Sequence, residues 1–528
     1  MQQIRLAHGF LTVGIWTMAS RVLGFVRDIL IAAFLGTGPV AEAFLIAFSL
    51  PNMFRRFFAE GAFNMAFVPM FSKKLEGAQD PEGFARDAFA GMAFLLLIFT
   101  VLGILLMPYL VWAMASGFAG DARFDLAVEY GRIAFPYILF ISLAALVSGV
   151  LNASGHFTAA AAAPVLLNVI FVLGILLGAA MGRPASEALG FGIDETLGLR
   201  VGDTLAASVP VAGAAQLALV WLAARRAGYS FRLRRPKLTP DLRRLAIIAA
   251  PAALAGGVVQ LNLLVGRQVA SFFDGAVAWL SYADRLYQLP LGVVGIAIGV
   301  VLLPALSRKL QANDTVGGQN AMNRAAEIAL TLTVPAAVAL AAIPGPLVSV
   351  LFQRGAFDAA DAQATALAVA VYGLGLPAFV LQKVLQPLYF AREDTRRPFY
   401  FALVALIVNA GIAIGLAPVI GYIAAAWGTT IAGWAMAWLL WAKSRGMGDA
   451  ARLDDRFRKR VWRIVAASLF MGAILFSAAW AVDPWLSGGP LRYAVLAGLI
   501  AVGIASYFVI GRLLGAFTVV DLRDALRR

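Results

Sequence analysis

The strongest constraint on the fold is a series of long apolar runs that fills most of the 528-residue chain. A helix needs about 20 apolar residues to cross the hydrocarbon core of a bilayer. Hydrophobic residues make up 61% of the chain and charged residues 14%, against about 45–50% and about 25% in average soluble proteins. The sequence therefore predicts an all-α polytopic membrane protein and excludes soluble enzymes, secreted disulfide scaffolds and disordered proteins. Fourteen transmembrane helices are predicted, at 9–35, 40–70, 88–115, 127–151, 159–181, 204–224, 246–272, 276–306, 325–351, 362–389, 399–418, 420–442, 464–482 and 490–511.

The loops between these runs alternate in basic charge. The loops and ends on the side of the two termini hold 30 Lys and Arg residues, and the opposite loops hold five. Because basic residues are retained in cytoplasmic loops, both termini are predicted to be cytoplasmic. The same distribution argues against nucleic-acid binding despite the net charge of +14, since the basic residues lie in short loops between apolar runs.

The sequence also contains an internal repeat. Pro136 and Asn168 recur 241 residues later as Pro377 and Asn409, in the same order along the chain. Each repeat holds six predicted spans, so the two halves share one orientation and are related by a pseudo-two-fold axis along the membrane normal, with a cavity expected between them. The predicted division is an N-terminal six-helix lobe (1–226), a basic linker (227–245), a C-terminal six-helix lobe (246–442), a second basic linker (443–463), and two additional helices with a cytoplasmic tail (464–528).

Charged residues inside the predicted spans suggest a polar interior. Each such charge costs about 2.5–3.5 kcal/mol on insertion scales. The first interpretation is a hydrated cavity that accepts an anion, and the alternative is internal ion pairing with a few side chains that reach the interface. Glu129 and Glu327 lie at span starts and are predicted to be hydrated. The remaining set has eight cations and four acids: Arg21, Arg27, Arg55, Arg56, Arg132, Arg267, Arg285 and Lys383, with Asp28, Glu42, Glu60 and Asp284.

The surplus of arginine favours the anion-accepting cavity. Most of these arginines lie on the first two spans of one half or on the matching spans of the other half, so cations from both repeats are expected to face each other. A guanidinium group binds phosphate oxygens in a bidentate manner, which makes a phosphate or pyrophosphate the expected guest.

Motifs of soluble enzymes are missing from the sequence. It has no P-loop, no HExxH zinc motif and no GxSxG motif. It also has no cysteine, and its two histidines, His8 and His156, are far apart. The sequence therefore predicts a transporter and no enzyme, with no metal site and no cofactor.

Six short segments together form a recognisable set. They are Ser20–Asp28, Leu50–Arg56, Phe58–Phe63, Tyr282–Leu286, Leu351–Phe357 and Ala391–Thr395. With the arrangement of six, six and two spans, this set resembles the MurJ/MviN family of lipid II flippases over essentially the whole chain. That family lies within the multidrug/oligosaccharidyl-lipid/polysaccharide exporter superfamily.

The resemblance implies a protein of the bacterial inner membrane. It would move the undecaprenyl-pyrophosphate-linked peptidoglycan precursor, lipid II, from the cytoplasmic to the periplasmic leaflet by alternating access. The last two spans would form a groove for the lipid tail. The arginines of the family's cavity match Arg21, Arg27, Arg55 and Arg285, and Glu42 matches an acidic position of the family. With the other charges of these spans, the candidate substrate-binding residues are Arg21, Arg27, Asp28, Glu42, Arg55, Arg267, Asp284 and Arg285.

Two other functions fit a chain of this architecture. One is export of another lipid-linked oligosaccharide, and the other is antiport of a small molecule or drug, although a pump for cationic drugs should carry surplus carboxylates. A membrane protein with a purely structural role ranks third. The predicted partners are lipid II, membrane lipids and other cell-wall synthesis proteins, without nucleic acid, and the chain is predicted to act as a monomer.

Overall fold

The computed structural model describes residues 2–55, 62–77, 79–182, 193–231, 234–486 and 488–517. These residues form no β-strand and contain one isolated β-bridge, between Arg354 and Phe357. The predicted all-α fold is therefore confirmed. The helices are α1 (Gln2–Leu35), α2 (Pro39–Arg55), α3 (Ala62–Glu76), α4 (Pro81–Leu105), α5 (Met107–Met114), α6 (Ala122–Ala134), α7 (Tyr137–Ala153), α8 (Thr158–Gly182), α9 (Ile193–Arg226), α10 (Pro240–Ala270), α11 (Ala276–Gln311), α12 (Thr315–Ala342), α13 (Pro344–Phe352), α14 (Ala359–Phe390), α15 (Arg396–Ile420), α16 (Ile423–Ser444), α17 (Asp455–Leu486) and α18 (Leu491–Leu513).

Several predicted spans consist of two helices each. The run at 88–115 divides into α4 and α5, the run at 127–151 into α6 and α7, and the run at 325–351 into α12 and α13. A proline lies at each division: Pro108, Pro136 and Pro344. Proline has no backbone N–H to donate to the preceding turn, so a new helix starts there while the chain stays apolar.

Ten stretches of the described residues are long and apolar enough to cross a membrane. They correspond to the predicted spans other than 9–35, 40–70, 246–272 and 276–306. Those four runs form α1, α2 with α3, α10 and α11. They carry every charge predicted at membrane depth except Arg132 and Lys383, whose side chains are exposed. The charged residues are therefore concentrated on a few helices, and the other spans are ordinary apolar ones.

The chain divides into two compact units, residues 1–278 with 354–357 and residues 279–353 with 358–528. In the first unit α9 packs against both α7 and α8, and in the second unit α16 packs against both α14 and α15. The fourth, fifth and sixth predicted spans of each half thus have the same neighbours. This agreement supports the duplication, while the predicted lobe boundaries stay a prediction.

A turn from late in the chain belongs to the first unit. The backbone N–H of Ala356 donates to the carbonyl of Ala33 at 2.8 Å. Gly36 and Gly355 both have left-handed backbones, with φ of +59° and +58°. A Cβ on Gly36 would lie 2.4 Å from the Ala356 oxygen, and one on Gly355 would lie 2.2 Å from the Ala33 oxygen. Only glycine fits either position, because any side chain would enter the opposite backbone.

The two additional helices, α17 and α18, are called the tail pair below and pack against α12 in the second unit. Their buried face includes Met471 and Leu475 of α17 and Tyr507 of α18. Gly472 lets α17 approach α12, since a Cβ there would lie 2.5 Å from a methyl carbon of Val338. The Tyr507 hydroxyl donates to the Thr331 carbonyl at 2.8 Å. The tail pair is therefore a firmly packed part of this unit.

Glu327 of α12 fixes the beginning of the tail pair by charge. Its side chain is buried, at 5% exposure for the residue, so the prediction that it is hydrated was wrong, whereas Glu129 is exposed as predicted. Glu327 accepts hydrogen bonds from Arg324 at 2.6 Å and from Arg460 at 3.3 Å, and Arg456 lies 3.5 Å away. Arg456 and Arg460 lie far from Glu327 in the sequence, so their pairing with Glu327 could not be predicted from the sequence.

Replacement of Glu327 should detach the start of α17. Glu327→Ala removes the carboxylate that three arginines share and leaves Asp454 as a partner of Arg324, and breaking a buried ion pair costs about 3–5 kcal/mol. We expect lower membrane abundance and a lower unfolding temperature in detergent. Glu76→Ala is the matched control, because that carboxylate is exposed at the end of α3. Equal abundance of the two variants would contradict this role for Glu327.

Candidate functional site

The buried part of the candidate site is an ion pair on α1. The Nε and Nη2 atoms of Arg27 donate to Oδ1 of Asp28 at 2.9 and 2.7 Å, and both side chains are less than a tenth exposed. The third contact of the guanidinium is a hydrogen bond from Nη1 to Oδ1 of Asn168 on α8, at 3.0 Å. The ring of Phe171 lies 5.5 Å from the guanidinium carbon. The orientation of Arg27 is therefore fixed by four contacts inside the first unit.

Asn168 joins the charged part of α1 to α8. Its amide nitrogen donates to the Ser20 carbonyl at 2.9 Å, while its oxygen accepts from Arg27. The residue is buried, and so is Asn409, its counterpart in the sequence repeat. In the sequence this pair is only a mark of duplication, and no role at the site was predicted for it. The internal repeat was the one feature of the sequence that pointed to Asn168.

Arg21 differs from Arg27 in its surroundings. It lies on the same helix and is half-buried, but it makes no hydrogen bond or ion pair with the residues that the structure describes. Asp28 of the same helix pairs with its neighbour Arg27. A guanidinium at membrane depth with no carboxylate beside it retains its full capacity to bind an anion.

The other predicted site residues are divided between the two units. Arg55, at the end of α2, and Arg267, in the last turn of α10, are half-buried in the first unit. In the second unit Asp284 is half-buried and accepts a hydrogen bond from Gln288, and Arg285 is exposed. Arg56 and Glu60 lie outside the described residues.

Glu42 forms part of a different cluster, here called the Arg123 clasp. It consists of Glu42, Asp121, Arg123, Asp274 and the backbone N–H of Val277. Arg123 donates from Nη1 to Glu42 at 2.9 Å and from Nε to Asp121 at 2.6 Å, and its Nη2 lies 2.9 Å from Asp274. The second oxygen of Glu42 accepts the Val277 N–H at 3.0 Å. Glu42 is 1% exposed, so in this arrangement its carboxylate is occupied by protein groups.

The clasp holds the turn between α10 and α11 against the connection between α5 and α6. A second set of bonds reinforces it, because Gln268 and Ser116 exchange two hydrogen bonds, at 2.6 and 3.0 Å. The N–H of Gly117 also donates to the Ser271 hydroxyl at 3.0 Å. Burial raises the pKa of the Asp121 carboxyl, but hydrogen bonds from the backbone and side chain of Arg123 outweigh it and leave that pKa below its usual range. The carboxylate is thus kept ionised for Arg123.

The clasp was not predicted from the sequence. Arg123 appeared only as one of five basic residues on the sparsely charged side of the membrane, and Glu42 was assigned to substrate. The contact joins residues that are 81 positions apart, and no spacing in the sequence indicates it. Among the described residues, no group of three or more acidic or histidine side chains is arranged to hold a metal ion.

The charges of the first unit therefore have two different environments. Arg27 with Asp28 and Glu42 with Arg123 are buried and satisfied within the protein, which corresponds to the ion-pairing interpretation. Arg21 is not paired with any described residue and corresponds to the anion-binding interpretation. The ion-pairing interpretation describes those two pairs, and anion binding by Arg21 stays a prediction.

Comparison with known proteins places the chain in a family. A sequence model described as "Lipid II flippase MurJ" matches residues 31–491. A "Probable lipid II flippase MurJ" of Rhizobium tropici is 42% identical over 99% of this chain and 97% of its own length. The "Lipid II flippase MurJ" of Burkholderia cenocepacia is 35% identical over 79% of this chain and 80% of its own length.

Solved structures show the same fold. A structure titled "Lipid II flippase MurJ, inward closed conformation" aligns with a TM-score of 0.76 at 22% identity, over 95% of this chain and 98% of that one. An inward-facing multidrug transporter of the MATE family aligns with a TM-score of 0.64 at 16% identity, over 83% of this chain and 98% of its own. The family match along nearly the whole sequence leads to one conclusion: the chain belongs to the lipid II flippase MurJ family.

Proposed function

We propose that this protein is a lipid II flippase of the bacterial inner membrane and moves the lipid-linked peptidoglycan precursor between leaflets by alternating access. The observation that carries the proposal is the family match along nearly the whole chain. The surplus of arginine on the charged helices agrees with it, because the pyrophosphate of the substrate is an anion that guanidinium groups bind well. It would act as a transporter, and the chemistry it needs is binding and release.

Residues of the first unit would divide this work. Arg21 would contact the pyrophosphate directly, since no described carboxylate competes for it. Arg27 would present a fixed positive potential whose orientation Asp28 and Asn168 maintain. Arg55 and Arg267 of this unit, and Arg285 of the second unit, would add further positive charge to the path of the substrate. The Arg123 clasp would keep one side of the transporter closed until substrate release.

Complementation of flippase-depleted cells tests the proposal. A bacterial strain whose own flippase is depleted, and which carries this gene instead, should keep growing and should show lipid II accessible on the periplasmic side. Membrane-inserted protein without either result would contradict the proposal. The drug-antiporter alternative predicts a different outcome, namely increased resistance to cationic compounds without growth of the depleted strain. The surplus of cations over acids on the charged helices argues against that alternative.

The proposed orientation has both termini in the cytoplasm. The chain has no cysteine, so a single introduced cysteine reports its own position. Ala119→Cys and Gly488→Cys, both at exposed positions, should react with an impermeant maleimide in intact cells. Ala312→Cys and Gly446→Cys, also exposed, should react only after permeabilisation. The reverse labelling pattern would contradict the proposed orientation.

The tail pair is proposed to hold the polyprenyl chain of the substrate. It lies outside the two repeats and packs against α12 of the second unit. Several large apolar side chains on it are exposed, among them Phe470 and Phe476 of α17. A long hydrocarbon tail needs such an apolar surface while its polar head group crosses the membrane.

A further inference from the structure

Two residues of α8, one helical turn apart, contact the guanidinium group of Arg27. Asn168 accepts a hydrogen bond from Nη1 at 3.0 Å. The guanidinium carbon lies over the ring of Phe171, 5.5 Å from the ring centroid. Phe171 is fully buried, and the side chain of Arg27 is 8% exposed. The contact between the cation and the ring is therefore shielded from water, and such contacts are strongest when they are desolvated.

The ring of Phe171 is itself held by two rings of α2. Phe44 and Phe48 lie one turn apart on that helix and are stacked, with centroids 5.8 Å apart. Each of them meets Phe171 edge to face, with 6.3 Å and 5.2 Å between the centroids. Aromatic pairs favour this geometry, because the positive edge of one ring meets the negative face of the other. The protein therefore fixes the ring of Phe171 in the orientation that contacts Arg27.

Arg27 and Arg123 both lie over an aromatic ring, but they differ in the charges around them. The ring at Arg123 is Phe118, with its centroid 4.6 Å from the guanidinium carbon. Among the described residues Arg27 has one carboxylate partner, Asp28. Arg123 has three, namely Glu42, Asp121 and Asp274. A carboxylate opposes the charge of a guanidinium at a distance as well as at contact, whereas a ring attracts it only at contact. More of the positive potential of Arg27 therefore remains for an anion.

We propose that Phe171 is a positioning residue for the anionic head group of the substrate and acts through Arg27. This role rests on the proposed function, in which the pyrophosphate of lipid II meets the positive potential of Arg27. The negative face of the ring stabilises the desolvated guanidinium in the orientation that Asp28 and Asn168 define. It does so without a second negative charge, which would repel the pyrophosphate. If Phe171 only filled space in the core, a ring with a weaker attraction for cations would serve equally well.

A series of fluorinated rings in place of Phe171 tests this role. Fluorine atoms withdraw electrons from the ring face and weaken its attraction for a cation, while the shape of the ring changes little. Phe171 is replaced by 4-fluoro-, 3,5-difluoro- and 3,4,5-trifluorophenylalanine, and each purified full chain is titrated with inorganic pyrophosphate. The dissociation constant should rise with each added fluorine, by about five- to thirtyfold over the series. The same series at Phe118 is the matched control and should leave the dissociation constant unchanged, because three carboxylates still hold Arg123.

The outcomes separate an electronic role of the ring from a structural one. A graded loss of affinity with fluorine number supports the proposal, since a space-filling ring would give no such gradient. A constant dissociation constant across the Phe171 series overturns it, as does an equal rise in the Phe118 series or a parent chain that does not bind pyrophosphate. Failure of the proposed function is seen separately, as failure of the parent chain to complement flippase-depleted cells, because the titrations require no transport.

Discussion

Arg21→Ala should abolish complementation while the protein still inserts at normal abundance. No described residue pairs with Arg21, so its loss leaves no buried carboxylate behind. Loss of one charge-assisted contact to pyrophosphate should weaken substrate binding by about ten- to a hundred-fold. Arg21→Lys should be intermediate, because an ammonium group keeps the charge and lacks the bidentate donors. Membrane abundance and complementation are measured side by side.

Arg27→Ala should behave differently from Arg21→Ala. It leaves Asp28 buried without its cation, and a broken buried pair costs about 3–5 kcal/mol, so abundance should fall together with growth. The double variant Arg27→Ala, Asp28→Asn should recover abundance and remain inactive if Arg27 supplies potential to the substrate. Recovery of growth as well would assign Arg27 to structure alone. Arg132→Ala, which removes an exposed arginine of α6, is the control and should grow normally.

Locking the Arg123 clasp should stop transport completely. The side chains of Ser116 and Gln268 are in direct contact, so Ser116→Cys with Gln268→Cys can be joined by a short bifunctional methanethiosulfonate. If alternating access requires the turn between α10 and α11 to leave the connection between α5 and α6, the joined protein cannot complete a cycle. Reductant should cleave the link and restore the activity.

The single variants Ser116→Cys and Gln268→Cys are the controls and should be unaffected by the reagent. Full transport by the linked double variant would show that the clasp is a permanent structural contact. Loss of activity that reductant does not reverse would also contradict a gating role for the clasp. Damage by the reagent, and not restraint of motion, would then explain the loss.

The sequence predicted the helices better than the contacts between them. Membrane helices are long and apolar, so composition along the chain is enough to find them. Their divisions at Pro108, Pro136 and Pro344 were not predicted, because each proline lies inside a single predicted span. The concentration of charge on a few spans was also visible, since a charged residue is rare in such surroundings.

The partners of those charges could not be predicted. Neighbours such as Arg27 and Asp28 can pair within one helix, whereas Glu42 with Arg123 and Glu327 with Arg460 depend on how distant helices pack. Glu327 illustrates the difference, since its position at a span start suggested contact with water and the folded tail pair covers it. Whether an arginine is available to substrate therefore depends on the tertiary structure, and Arg21 and Arg27 look alike in the sequence.

The reciprocal fit of Gly36 and Gly355 has a consequence for biogenesis. The first unit includes residues 354–357, so its last piece emerges from the ribosome long after its own helices have been synthesised. Until that turn arrives, the carbonyl of Ala33 lacks the N–H that Ala356 supplies in the finished protein. The N-terminal helices therefore remain incompletely folded in the membrane until residues 279–353 of the other unit, and then the turn itself, have been synthesised.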